Sequence, residues 1–353
     1  MLKNPLNLLL LAVPVALFFE FNGSHNYTVI FIFSCLAMIP LAGILGNATE
    51  EVAGYTGPRI GGLLNATLGN AAELIITIVA LREGLTAVVK ASIAGSILGN
   101  ILVVLGASML LGGIKHGSQY FDPKIAGLNS SIMMLAIVAL MVPAIFSLPV
   151  DGNRLTNGEL QFLSDGLAII LIVVYVLYIG YLLFGSSDVS SGGDTHHKPS
   201  LSLGAAIAVL LVSTVGIVVM SETLVGAIEP TTEAWGLSPM FVGVMLIPLI
   251  GNVAEHLVAV KVAMDNKMDL SIGIAVGSGL QIALFVAPLL VIVSEILNKE
   301  MNLVFNVYEM VALFGAGLIA VFVSSDGESN WLEGAQLLSL YIMMGIAFWF
   351  AGA

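Results

Sequence analysis

Residues 62–75 read GLLNATLGNAAELI, and residues 247–260 read IPLIGNVAEHLVAV. Laid over itself at an offset of 182, the chain places Gly69-Asn70-Ala71-Ala72-Glu73 on Gly251-Asn252-Val253-Ala254-Glu255. The register persists: Gly61 meets Gly243, Gly95 meets Gly277, Ser96 meets Ser278 and Leu98 meets Leu280. Because the matches include amide, hydroxyl and carboxylate residues as well as common apolar ones, they define an internal repeat. Both strings lie inside apolar runs, so the two acids are the residues that need a physical reason.

The surroundings are those of a membrane protein. The 353 residues are 58% hydrophobic and only 10% charged, with a mean hydropathy of +1.03. A soluble domain carries roughly 45–50% apolar and ~25% charged residues, so too few charges are present to cover a water-soluble globule. Apolar stretches of about 20 residues, each enough to cross roughly 30 Å of hydrocarbon, fall at 5–22, 27–52, 58–82, 85–112, 125–148, 160–184, 203–227, 237–262, 270–297, 302–324 and 331–352. The expected fold is an all-α polytopic membrane protein with about eleven transmembrane helices. The chain divides into an N-terminal helix (1–26), a five-helix repeat with GNAAE (27–184), a link (185–202) and a five-helix repeat with GNVAE (203–353). The polar stretch from Gly185 to Ser200, with Gly192, Gly193, His196, His197 and Pro199, reads as a flexible connector. Cys35 stands alone, which excludes a disulfide within the chain.

The first span lacks a convincing small-residue cleavage site and leads directly into further membrane helices, so it is kept as a helix rather than a signal peptide. Third and eighth spans are five crossings apart. The two copies therefore enter the membrane from opposite sides, and the repeats are expected to be inverted, as in secondary transporters whose substrate sits near the midplane. Lys3, Arg59, Lys115, Lys124, Lys198, Lys261 and Lys267 fall on one side, against Arg82, Lys90, Arg154 and Lys299 on the other. That excess predicts a cytoplasmic N-terminus and an outside C-terminus, and the absence of long targeting extensions points to a bacterial-type cell membrane.

Glu73 lies about 15 residues into its span and Glu255 about 18 into its own, well inside the membrane by helical rise. An ionised acid at that depth costs about 2.5–3.5 kcal/mol or more without a partner, so each must face a partner or a cavity. Asn70 and Asn252 precede the acids by three positions, on the same helical face. Gly69, Gly251 and Pro248 weaken the helices beside them and free backbone carbonyls. On the following helices Ser92, Ser96 and Asn100 recur at four-residue spacing, and Ser278 and Gln281 stand three apart. Carboxylate, amide, hydroxyl and carbonyl oxygens, with no thiolate pair and no His cluster, suit a hard cation; calcium takes 6–8 such ligands at ~2.3–2.6 Å. Two carboxylates neutralise one divalent ion. The serines have a second reading, bonding to their own helix backbone.

His256 adjoins Glu255 but points about 100° away on a helix, which favours packing or gating over ligation. Glu50 and Glu51 end a similar string, Gly46-Asn47-Ala48-Thr49-Glu50-Glu51, and read either as acids on the ion or proton path or as a solvated helix end. Glu222, Glu295 and Glu309 are weaker path candidates, while Glu229, Glu233, Glu328 and Glu333 fall in outer-side links or at helix ends. The balance of 11 Lys+Arg against 23 Asp+Glu, net −12, excludes nucleic acid as a partner and leaves room for cations. No His-Glu-x-x-His zinc motif, serine nucleophile elbow or phosphate-cradling Gly-Lys loop is present, so the chain is not expected to be an enzyme.

The two GNxxE strings, with Gly95-Ser96-Ile97-Leu98-Gly99-Asn100 and Gly277-Ser278-Gly279-Leu280-Gln281-Ile282 after them, resemble the calcium/cation antiporter superfamily along nearly the full chain. Within it they resemble the cation/proton exchanger branch, including bacterial-type H+/Ca2+ exchangers. The resemblance implies an extra first helix plus two inverted five-helix repeats. It also implies calcium held centrally by Glu73 and Glu255, with Asn70, Asn252, Gly69, Gly251, Ser96, Asn100, Ser278 and Gln281 around it. Many relatives carry a strongly acidic segment between the halves, whereas residues 185–200 contain only Asp188 and Asp194. Sodium-coupled relatives typically carry Ser/Thr-Pro-Glu strings; their absence here favours protons as counter-ion. The expected activity is Ca2+/H+ exchange by alternating access in a lipid bilayer, with Ca2+ and H+ as transported substrates and no cofactor. Sodium-coupled calcium exchange and a passive cation channel are the alternatives. Transport of Mn2+ or other divalent cations, and a homo-oligomer, are left open by the sequence.

Overall fold

The computed structural model describes residues 5–23, 26–149, 155–184 and 199–351. The link 185–198, with His196 and His197, and the basic residues Lys3, Arg154 and Lys198 lie outside the described residues. In chain order a 3-10 turn (Pro5–Leu11) leads into α1 (Ala12–Phe21), followed by α2 (Tyr27–Leu68), α3 (Ala71–Arg82) and α4 (Thr86–Leu98). A π-helical turn (Gly99–Val104) joins α4 to α5 (Leu105–His116). Strand β1 (Gln119–Tyr120), α6 (Pro123–Phe146), α7 (Asn157–Phe184) and α8 (Leu203–Trp235) come next. Short α9 (Pro239–Phe241), a π-helical turn (Val242–Leu246), α10 (Ile247–Gly251) and α11 (Val253–Met264) form the second interrupted segment. The chain ends with α12 (Met268–Gln281), a π-helical turn (Ile282–Val286), α13 (Ala287–Ile296), α14 (Val307–Val323), β2 (Glu328–Ser329) and α15 (Trp331–Ala351).

Among the described residues seven helical segments are long and apolar enough to cross a membrane, or eight if Pro239–Gly251 with Glu255–Met264 counts as one span. Pro5–Phe21 and Val307–Val323 are shorter apolar helices. Large apolar side chains cover their outward faces, among them Ile169, Ile170 and Val173 of α7 and Leu211, Val212 and Val215 of α8. Such continuous apolar surface is stable against lipid rather than water.

The backbone of Tyr27–Leu68 is broken between the second and third apolar stretches. The break is at Gly57, whose φ of 81° lies in the left-handed region open to glycine; it separates two helices, the second of which ends at Leu68. The breaks at the two motif strings share one conformation: Asn70 has φ −98° and Asn252 φ −101°, each immediately before a new helix. At the offset of 182, α3 maps onto α11 at both ends and the start of α4 onto that of α12. The turn at Gly99–Val104 likewise maps to within one residue of that at Ile282–Val286. The sequence repeat is thus also a repeat of helix ends and helix defects.

The residues fall into two compact units. The first comprises Met1–Val89 and Asp194–Ala254. In it α2 packs along α8: Phe31 and Trp235 meet edge to face at 5.8 Å, and Leu41 lies over Gly216. The second comprises Lys90–Gly193 and Glu255–Ala351. There α5 and α15 approach closely through Gly106 and Gly334, where a side chain would strike the opposite helix, the small-residue packing expected between membrane helices. β1 and β2 pair antiparallel, Gln119 against Ser329. The spans Thr86–His116 and Met268–Ile296 are the most enclosed, 72% and 67% buried against 22–44% for the other five. They are the spans that carry the serine, asparagine and glutamine stripes.

Candidate cation site

Each motif builds the same local device. Helix α2 ends at Leu68, Asn70 takes the N-cap position, and Glu73 falls in the first turn of α3. Helix α10 ends at Gly251, Asn252 leaves the helical conformation, and Glu255 falls in the first turn of α11. A break of this kind brings two helix ends together. The N-terminal end, with its unpaired N–H groups, stabilises a carboxylate, while the C-terminal end presents carbonyl oxygens that attract a cation.

In the first unit Asn70, Glu73 and Asn252 are buried. The Glu73 backbone carbonyl accepts the Thr77 hydroxyl at 2.7 Å, and Leu74 N–H donates to the Asn70 carbonyl at 3.0 Å, which ties down the turn bearing the acid. The Glu73 side chain lies across Gly251: a Cβ there would stand 3.2 Å from Glu73 Oε1 and 3.3 Å from its Cγ. The structure thus brings the acid of the first motif against the glycine of the second. Beside it, Asn252 Oδ1 is buried and accepts no hydrogen bond from the described residues. Gly69, half-buried, opens the first break.

In the second unit Ser92, Ser96, Asn100 and Ser278 are buried, and Gln281 is half-buried at the end of α12. Asn100 Nδ2 donates to Ser278 Oγ at 3.1 Å, joining the stripe after the first motif to the stripe after the second. The spacing of Ser92, Ser96 and Asn100 suggested one continuous α-helical face. All three are buried, Ser92 and Ser96 in α4 and Asn100 at the start of the π-helical turn that follows it. Glu255 is half-buried, with its Oε2 atom shielded from solvent. His256 Nε2 is buried and finds no hydrogen-bond partner among the described residues.

The path candidates have local roles. Glu51 is buried and accepts Ser200 N–H at 2.7 Å, Ser200 Oγ–H at 2.6 Å and Leu201 N–H at 3.0 Å, so it anchors the chain entering α8 and is no solvated helix end. Tyr55 donates its hydroxyl to the Leu201 carbonyl at the same place, and neighbouring Glu50 is exposed. Glu222, also exposed, accepts Arg82 Nη2 at 3.0 Å. Glu309 is buried and accepts Asn306 N–H at 2.8 Å, closing a capping box at the start of α14. Among the described residues no three His, Cys, Asp or Glu side chains gather as a metal-binding cluster.

Two residues have structural roles that the sequence did not assign: Lys90, which entered only the charge balance between the two sides, and Gln119. Lys90, four residues into α4, donates to Asn302 Oδ1 at 2.8 Å and to the Val304 carbonyl at 3.0 Å. A lysine within an apolar span was itself a signal. Gln119 is buried and donates to the Ala263 carbonyl at 2.8 Å and Asn266 Oδ1 at 3.0 Å, closing the last turn of α11; nothing in its sequence context marks it.

A family model described as sodium/calcium exchanger protein matches residues 26–184 and 205–350. The chain belongs to the sodium/calcium exchanger protein family. The family read from the duplicated GNxxE strings is borne out, and the two matched stretches flank the link and contain Glu73 and Glu255 respectively. Among exchanger relatives, a Ca(2+)/H(+) antiporter of Aphanothece halophytica is 46% identical over 358 residues, covering 97% of this chain and 95% of that protein. The Ca(2+)/H(+) antiporter ChaA of Bacillus subtilis is 43% identical over 326 residues, covering 91% and 92%. The solved structure of native YfkE superimposes with a TM-score of 0.85 at 40% identity, over 98% of this chain and 99% of that one. The exchanger fold thus accounts for both halves of the chain.

Proposed function

We propose that this protein is a secondary antiporter that exchanges Ca2+ for H+ across a cell membrane by alternating access, with Glu73 and Glu255 carrying either the cation or protons. The observation that carries this reading is the repeated device of a helix break followed by an enclosed acid in the first turn, at Asn70/Glu73 and again at Asn252/Glu255. The names of the two antiporter relatives support calcium and protons as the exchanged pair, and the missing Ser/Thr-Pro-Glu strings disfavour sodium.

Coupling follows from charge. Two carboxylates that share one divalent ion repel one another when it leaves, and low dielectric adds to the cost of leaving both ionised, so the emptied pair takes up protons. With calcium bound or with both acids protonated, the pair is near neutral. The empty, doubly charged pair is the state that is expensive to seal from water. If only near-neutral states reorient, calcium and protons must alternate, and an inward proton gradient expels calcium.

Eleven crossings, an extra first helix and two inverted five-helix repeats are the topology that goes with this reading, with the N-terminus cytoplasmic. That topology puts Glu51 and Ser200 on one side of the membrane, and likewise Arg82 with Glu222, Lys90 with Asn302, Lys115 with Met264, and Gln119 with Ser329. Hydrogen bonds or strand pairing join each of these pairs. The shared offset of helix ends supports the repeat.

The deciding experiment is calcium uptake into sealed vesicles holding the full-length protein, under an imposed pH gradient or an imposed sodium gradient. Uptake driven by the pH gradient, with calcium-dependent proton release, is expected. Uptake driven by sodium alone would replace the proposal with sodium-coupled exchange, and steady single-channel current without counter-flow would replace it with a channel.

A further inference from the structure

We infer that Gly251 is a socket for the Glu73 carboxylate, and that its missing side chain tunes the proposed cation site to calcium over smaller divalent ions; the inference rests on the cation-binding reading above. Gly251 is not among the glycines of positive φ, so its backbone does not demand glycine. It is the last residue of a helix, where alanine is the better helix former. Local structure therefore argues for a side chain at 251. What argues against one is Glu73: the three atoms nearest to a Cβ there are its Oε1 at 3.2 Å, Cγ at 3.3 Å and Cδ at 3.5 Å.

Glu73 has little freedom to retreat at its root, because its backbone sits in the first turn of α3 with its carbonyl bonded to Thr77. A methyl group at 251 would be absorbed by the carboxylate itself, which would move by a few tenths of an ångström. That is the scale on which divalent ions differ: calcium bonds oxygen at ~2.3–2.6 Å with 6–8 ligands, magnesium at ~2.0–2.1 Å with six. Crowding the space beside Oε1 penalises the larger ion with the larger shell first. Asn252 Oδ1, buried next in the chain and accepting no hydrogen bond from the described residues, shows that polar capacity for a ligand remains at this spot.

The test compares wild-type and Gly251→Ala full-length protein in vesicles, reading proton-driven calcium uptake and its competition by Mn2+ and Mg2+. The half-saturating calcium concentration should rise about tenfold, the scale of one methylene in a fitted pocket, while the concentration of Mn2+ that competes stays level or falls. Unfolding temperature in chelator should not drop. An unchanged Ca2+/Mn2+ preference in an active Gly251→Ala protein overturns the socket and leaves the exchange reading intact; wild-type protein without proton-driven uptake removes both. Should Gly251→Ala fail to fold, Glu73→Asp decides, since withdrawing the carboxylate by one methylene enlarges the same space. Preference should then shift towards the larger Sr2+, and no shift overturns the inference.

Discussion

Glu73 and Glu255 each sit in the first turn of a helix that begins in mid-segment, a placement that stabilises an ionised carboxylate, which can in turn hold a cation. Removing the charge while keeping the shape separates binding from folding. Glu73→Gln and Glu255→Gln should each abolish calcium-dependent proton release in vesicles, with membrane insertion and unfolding temperature close to wild type. Exchange retained in both single variants would remove the pair from the mechanism. The two acids were legible because an apolar run makes any carboxylate conspicuous. Contact of Glu73 with Gly251 was not, since it joins residues 178 positions apart and depends on how α3 and α10 meet.

At the scale of elements, Glu309 shows how an acid in an apolar helix can be a cap. Its Oε2 accepts Asn306 N–H while Asn306 Oδ1 accepts Tyr308 N–H at 3.0 Å, so two otherwise unpaired N–H groups at the start of α14 are satisfied. Asn306→Ala should cost about 1 kcal/mol of stability, read as a lower unfolding temperature in detergent. Glu309→Gln should leave the exchange rate of the folded protein near wild type; loss of transport in a stably folded Glu309→Gln protein would return this acid to the proton path. Helix positions were readable from the apolar runs, because a backbone in lipid must satisfy its own hydrogen bonds. The π-helical turns were not: the energy difference between an α and a π turn is decided by what packs around it, and Asn100 enters its turn bonded to Ser278.

For the whole molecule the predictions concern pH and sidedness. Calcium and protons compete for the same carboxylates in the proposed cycle, so acidification should lower apparent calcium affinity, by about tenfold per pH unit for each proton released on binding. Binding isotherms between neutral and mildly acid pH check this; a pH-independent affinity contradicts the competition. Sidedness can be read with single introduced cysteines, because Cys35, the one cysteine of the sequence, is buried. With eleven crossings, Glu83→Cys should react with an impermeant thiol reagent from outside the cell and Asp265→Cys only from inside. Labelling of both from one side would overturn the proposed topology.

Composition, apolar run lengths and the duplicated GNxxE strings by themselves determined a helical membrane protein, its family and its two conspicuous acids, because lipid imposes constraints that act on every stretch of about 20 residues independently of the rest. Only the tertiary structure decided that Glu51 anchors the start of α8, that Glu222 pairs with Arg82, that Glu309 caps a helix and that Gly251 receives Glu73. Those assignments turn on hydrogen bonds and contacts a few ångströms long, mostly between distant parts of the chain, and such distances are set by packing rather than by local pattern.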